Sequence, residues 1–206
     1  MKTIILFLLL MPFCFVAEGG DEVRRASVSL FGEKVGTVAK LNVSASITNS
    51  CPGATFYAAS MIVPPDELEV IPNTNPPKPF AICLNSQLFS LVSAENIGSF
   101  LSSFEKPVEN EKSAYNRVEV FAELIGGSVR TNMPERQSLI SGYAKLNPKD
   151  WPVVIEGTKR GWNISFSLMM DADIEYCVRY TLRIDKDGKT IVPTKVKTIY
   201  TYTLYE

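Results

Sequence analysis

Histidine is absent from all 206 residues. Imidazole is the usual general base near neutral pH and a frequent zinc ligand. Its absence excludes catalytic triads and dyads that use histidine, and zinc sites with imidazole ligands. An excess of one charge is also missing: 21 lysines and arginines stand against 22 aspartates and glutamates, and no basic cluster stands out. The electrostatic footprint that nucleic acid or anionic lipid requires is therefore lacking, which excludes both as main partners. Long apolar runs are confined to one place, Ile4 to Val16, broken by Pro12. A bilayer span needs about 20 apolar residues, and nothing later in the chain approaches that.

What is present begins with that run. Lys2 supplies a positive charge ahead of it, and Ala17-Glu18-Gly19 behind it offers small residues at the positions a signal peptidase reads. Residues 1–19 read as a cleavable secretory signal peptide, with cleavage before Gly20. Cys14 follows Met11-Pro12-Phe13, which lacks the small residue that lipid attachment demands. The expectation is an exported protein of the periplasm, the cell surface or the extracellular space. Residues 20–206 form its one domain, with no transmembrane span after signal cleavage.

Cys51, Cys83 and Cys177 remain in that domain. An oxidising compartment implies one disulfide and a leftover thiol. Spacing alone leaves all three pairings open, and the expected one is Cys51 with Cys83.

Period-two alternation dominates the pattern and predicts strands. Leu41, Val43, Ala45 and Ile47 alternate with Asn42, Ser44, Ser46 and Thr48; Ala26 to Phe31 precedes them with a Ser-rich alternation, and Gly32 to Lys34 reads as the turn between. Thr55 to Val63 is a further strand. Pro64, Pro65, Pro72, Pro76, Pro77 and Pro79 then crowd one stretch, which must be loop, polyproline II or sheet edge because proline cannot donate to a ladder. Leu68 to Ile71 has room to pair briefly within it. The middle differs. Ile97, Phe100, Leu101 and Phe104 recur at helical spacing behind Ser93, an N-cap candidate, so Ala94 to Phe104 is expected to be a helix ended by Pro107. Ala114, Val118, Phe121, Ala122 and Ile125 predict a second helix over Ser113 to Ile125, closed by Gly126-Gly127, although Val118, Val120, Ala122 and Leu124 also permit a strand. Period two returns from Val129: Leu139 to Leu146, Val153 to Glu156, Trp162 to Met170, Ile174 to Ile184 and Lys195 to Tyr205. Asp185-Lys186-Asp187-Gly188 is a turn with glycine where positive φ is needed.

The predicted class is thus mainly β: two antiparallel sheets in a sandwich or flattened barrel, with a two-helix segment near 93–126. Ile47, Phe56, Phe100, Phe121, Trp162, Phe166, Tyr180 and Tyr200 are the expected buried anchors.

Four constellations bear on chemistry. Asp171, Asp173 and Glu175 stand at i, i+2 and i+4, which on a strand places three carboxylates on one face, adjacent members about 7 Å apart. Such a face suits calcium, a glycosidase acid and base, or plain solvation between hydrophobic strands. Asp185-x-Asp187-Gly188 has the start of a calcium loop without its later ligands, so turn chemistry is expected. Ser103-Phe104-Glu105-Lys106 matches the Ser-x-x-Lys pattern of serine acylases, but Ser103 ends its helix and no Lys-Thr-Gly strand accompanies it. Asn42-Val43-Ser44 and Asn163-Ile164-Ser165 are N-glycosylation sequons. No cofactor is indicated.

A signal peptide, an early Ser/Thr-rich strand running into Cys51, a second cysteine at Cys83, and an alternating C-terminal strand with Tyr205 in the penultimate position together resemble the pilus subunits assembled by strand donation. That resemblance implies an incomplete sandwich completed by a neighbour's strand; Pro193 stands where the family carries a glycine. On residues alone, the expected function is a non-enzymatic exported β-domain that binds a protein or glycan partner or builds an envelope or surface assembly. An apolar small-molecule carrier and a carboxylate-based hydrolase are the alternatives.

Overall fold

The structure is a computed structural model that describes residues 20–62, 77–132, 147–170 and 176–201. The expected signal peptide, the segment Leu68 to Ile71, the strand Leu139 to Leu146 and the acidic trio Asp171, Asp173 and Glu175 lie outside the described residues.

The first described element is helix α1 (Asp21–Phe31), where alternation predicts a strand from Ala26. Val23, Ala26, Ser27 and Leu30 follow the i, i+3, i+4, i+7 spacing of one helical face, and Ala26 and Ser27 are buried there. Ser27 fits because its hydroxyl donates to the carbonyl of Arg24 at 2.8 Å. Asp21 and Glu22 sit favourably in the first turn.

Strand β1 (Val35–Lys40) follows, and the predicted strand from Leu41 to Thr48 gives way to helix α2 (Ala45–Ser50). Ser44 decides this: its hydroxyl accepts from the Ile47 amide at 3.3 Å and so caps α2. Ile47 is buried either way. Strands β2 (Thr55–Met61), β3 (Lys78–Ile82) and β4 (Leu88–Ser90) complete a four-stranded antiparallel meander in the order β1-β2-β3-β4. Pro79 lies inside β3, between two neighbours rather than at a sheet edge. The β3–β4 pairing ends at Phe80–Ser90; beyond it the Leu91 amide donates to the Pro79 carbonyl at 2.9 Å, and the return bond of that pair is the one proline cannot make.

Helices α3 (Ala94–Ser102) and α4 (Glu111–Leu124) stand where helical spacing placed them. The Ser93 side chain accepts from Asn96, as expected of an N-cap. α4 starts earlier than predicted because Asn110 and Ser113 form a reciprocal capping box. Gly126, at φ +77°, ends it.

Among the described residues the second sheet has five strands: β5 (Gly127–Arg130), β6 (Val154–Gly157), β7 (Gly161–Met170), β8 (Tyr176–Asp185) and β9 (Ile191–Thr201). Its order is β5-β7-β8-β9; β5 takes the Ser167–Met170 half of one β7 edge and β6 the Trp162–Ser165 half. The antiparallel meander β7-β8-β9 is the one expected from period two, with Ile164, Phe166, Leu168, Val178, Leu182 and Ile184 fully buried on its inner face. The mainly β class with two antiparallel sheets is therefore observed.

One hydrophobic core joins both sheets through the helices. Phe100 of α3 meets Phe56 at 5.7 Å and Phe89 at 5.3 Å on the first sheet. Phe121 of α4 meets Phe166 at 6.1 Å and Tyr180 at 5.7 Å on the second. Each such ring contributes roughly 1.5 to 3 kcal/mol through burial. α3 also presses Gly98 onto β9: a β-carbon there would lie 2.5 Å from Pro193 Cδ. A smaller cluster around Phe80, Ala59, Val35 and Ala26 joins α1 to the first sheet.

Candidate binding cleft and buried polar sites

The β6–β7 hairpin, the β8–β9 turn and the segment after α3 converge at one end of the second sheet. The Thr158 hydroxyl fixes the hairpin turn, accepting from the Gly161 amide at 3.0 Å and the Arg160 amide at 3.3 Å. Gly161 permits the close crossing, since a β-carbon there would fall 2.0 Å from the Ile184 carbonyl. The Lys186 amide donates to the Arg160 carbonyl at 3.1 Å and the Val108 amide to the Lys186 carbonyl at 2.9 Å, tying the three segments together.

Between them lies an open cleft of about 350 Å³. Trp162 forms one wall, its Nε1 donating to the Val108 carbonyl at 2.8 Å, with Gly157 opposite the ring. Lys159, Arg160 and Arg183 bring three cations to the lining against the single carboxylate of Asp185, and Asn163 adds a neutral amide. Register sets this convergence: Asn163 pairs with Arg183 on β8 and with Glu156 on β6. Trp162 shares the core-facing side of the sheet with its partner Ile184, whereas Asn163 and Arg183 share the outward side, so the cleft wraps the end of the hairpin. A net positive lining with one aromatic residue suits a polar ligand bearing an anionic group.

The outer face of the same sheet is covered by residues 147–153, which hold a short 3-10 turn at Pro148–Asp150. Trp151 of this strap is buried. Arg179 of β8, only 7% exposed, donates to the carbonyls of Asp150 at 2.5 Å and Pro152 at 3.1 Å and to the Ser167 hydroxyl at 3.2 Å. Ser167 in turn donates to the Asp150 carbonyl at 2.5 Å, and Lys197 of β9 forms a 2.6 Å ion pair with the Asp150 carboxylate. Burial lowers the Arg179 pKa while the Asp150 charge supports its cationic form.

All three cysteines of the described residues are free thiols, so the disulfide expected between Cys51 and Cys83 is not formed in this structure. Cys51 caps the end of α2 and is buried, Cys83 follows β3 and is half-buried, and Cys177 is buried on β8. Burial pushes both Cys51 and Cys177 up to about 12, although the Arg117 guanidinium pulls Cys51 down and Arg130 and Arg179 do so at Cys177. Burial also raises Cys83.

The remaining sequence candidates resolve locally. Ser103 donates to the Phe100 carbonyl at 2.7 Å and Lys106 to the Asn49 carbonyl, so the Ser-x-x-Lys pair serves two separate backbone contacts. Asp187 accepts from the Lys189 amide at 3.0 Å within a turn closed by Gly188 at φ +75°. Asn42 is exposed and Asn163 half-buried. Among the described residues, no group of three or more acidic or cysteine side chains is placed to hold a metal, and no helix is long and apolar enough to cross a membrane. The cleft cations escaped sequence reading because Lys159-Arg160 and Arg183 are far apart along the chain; the predicted β7–β8 pairing was the signal that unites them. No family model, curated protein or solved structure matches this chain.

Proposed function

We propose that this chain is a non-enzymatic exported β-domain that works by binding, and that the cleft beside Trp162 is its recognition site for an acidic glycan. The observation that carries the reading is that Lys159, Arg160 and Arg183 line one cleft together with Trp162, against the single carboxylate of Asp185. A sugar ring packs on the indole while a carboxylate or sulfate meets the cations, with Arg offering a bidentate fork. Arg183 stands on β8 and Lys159-Arg160 in the turn between β6 and β7, so a loop presents two of the cations on a scaffold of paired strands.

Titration calorimetry of the mature chain with acidic oligosaccharides, against neutral ones of the same length, tests this. Acidic ligands bind more tightly, the affinity falls with salt, and the double variant R160A/R183A loses roughly tenfold. Equal affinity for neutral and acidic ligands, or full affinity in the double variant, overturns the assignment.

A second reading, a pilus-type subunit assembled by strand donation, draws on one observation. Among the described residues β9 is an outer strand of its sheet and exposes Val192 and Val196, and an unpaired strand edge accepts a further strand. Concentration-dependent association, abolished by proline substitution in β9, supports assembly in place of ligand binding.

A further inference from the structure

We propose that Cys51 and Cys83 are a dithiol pair that closes to a disulfide, with Cys83 reacting first and Cys51 completing the bond, while Cys177 takes no part. The inference stands on the fold and is independent of the binding reading.

The backbone brings the two residues together. β2 and β3 are in register at Thr55 and Ile82, so one step further places Ala54 opposite Cys83. The Ala54 amide donates to the Cys51 carbonyl at 3.2 Å, folding Cys51 back over that position. Contact between the two turns is direct: a β-carbon on Gly53, which has φ +79°, would lie 2.4 Å from Leu84 Cδ1. Both cysteines pack against the same core, and they are close enough for a Cys83 charge to raise the Cys51 pKa. Cys177 lies on the other sheet, and the groups that act on it are Arg130, Arg179 and Asp150, with neither other cysteine among them.

Exposure sets the order of reaction. Cys83 is half-buried and reachable, whereas Cys51 is 1% exposed. With oxidised glutathione as the oxidant, the Cys83 thiolate attacks one sulfur of the reagent. A protein–glutathione bond forms, the glutathione S–S bond breaks, and the departing thiolate takes up the proton that Cys83 lost. Cys51 then attacks the Cys83 sulfur, expelling the second glutathione with the proton from Cys51. The protein loses two hydrogens and one oxidised glutathione becomes two reduced ones.

Arg117 supports the second step. Its side chain is 4% exposed, Nη2 donates to the Lys106 carbonyl at 3.1 Å, and Nη1 has no partner among the described residues. This buried cation, with Lys106 near it, favours the Cys51 thiolate that must form.

The test incubates the full mature chain and its C51A, C83A and C177A variants with oxidised glutathione at mildly alkaline pH. Intact mass gives the thiol count, and Glu-C digestion, which cuts at Glu67 and Glu69 between the two cysteines, gives the linkage. Wild type and C177A are expected to lose two hydrogens and yield a peptide pair joined through Cys51 and Cys83. C51A accumulates one glutathionyl adduct on Cys83, and C83A gains none while folded, with far-UV circular dichroism confirming that each variant is folded. A linkage through Cys177, three free thiols in oxidised wild type, or an adduct on Cys51 in C83A overturns the proposal.

Discussion

Replacing Arg179 with methionine tests whether the strap over the second sheet is held by its buried guanidinium. Methionine fills much of the same volume, so packing changes little and the loss is mainly polar. Arg179 makes three hydrogen bonds, two of them to the main-chain carbonyls of Asp150 and Pro152. In R179M the Asp150 carbonyl keeps the Ser167 hydroxyl, whereas the Pro152 carbonyl loses its donor, and a buried unpaired carbonyl costs on the order of 1 to 3 kcal/mol. Against this, deleting the cation relieves the desolvation that lowers its pKa. The net expectation is a loss of about 2 kcal/mol, equivalent to a melting midpoint lower by roughly 4 to 8 °C for a domain of this size. R179K keeps the charge but not the fork and falls between. Urea unfolding of the mature chain gives the free energy. In a W162F background, emission from Trp151, buried in the strap, reports the strap directly, and it shifts to the red at denaturant concentrations below the global transition. A loss under 1 kcal/mol, or Trp151 emission that changes only with the global transition, would refute the claim that Arg179 anchors the strap.

Other expectations follow from the same contacts. F100A removes a fully buried ring that meets Phe56, Phe89 and Phe104, and chemical unfolding should show a loss of about 3 to 5 kcal/mol. G188A and G126A both place a side chain at positive φ, but only at Gly188 would the new β-carbon meet a neighbour, the Lys106 carbonyl at 2.0 Å. G126A should therefore cost about 1 kcal/mol and G188A several times more, in parallel thermal melts. Cys177 ionises near 9.0 when unfolded and near 12 when folded, so above pH 9 unfolding releases a proton and stability falls as pH rises. The stability advantage of wild type over C177A should narrow by about 1.4 kcal/mol between pH 8 and pH 10, a range in which a thiol with equal pKa in both states would leave it constant.

The β7-β8-β9 meander was legible in sequence because Ile164, Phe166, Leu168, Val178, Leu182 and Ile184 are apolar and register keeps them on one face. The burial of its other face was not. Ser167 and Arg179 occupy the polar half of the alternation, and polarity there reads as solvent contact; only the strap, which approaches from residues 147–153, converts them into interior groups. The N-terminal errors have a related cause. Short stretches with a serine at every second or third place satisfy both periods, and the choice fell to local hydrogen bonds. Ser27 bonds back to Arg24 within α1, and Ser44 caps α2.

Ser44 shows why local sequence was not enough there. Its backbone amide and hydroxyl both donate to Glu123, at 3.3 Å and 2.7 Å, so the start of α2 is fixed by a carboxylate near the end of α4. The cleft obeys the same logic. Arg183 is an ordinary outward arginine on β8 until register sets it beside Asn163, and Lys159-Arg160 is an ordinary turn until Gly161 lets it approach Ile184. In both places the residue types are common and the information lies in which strand or helix faces them. Sequence periodicity reports how each element relates to solvent; it carries no term for two polar groups on different elements that solvate each other. Sites of that kind are where a sequence reading is expected to fail, and in this chain they coincide with the groups that bear charge beside the cleft, under the strap and around the paired thiols.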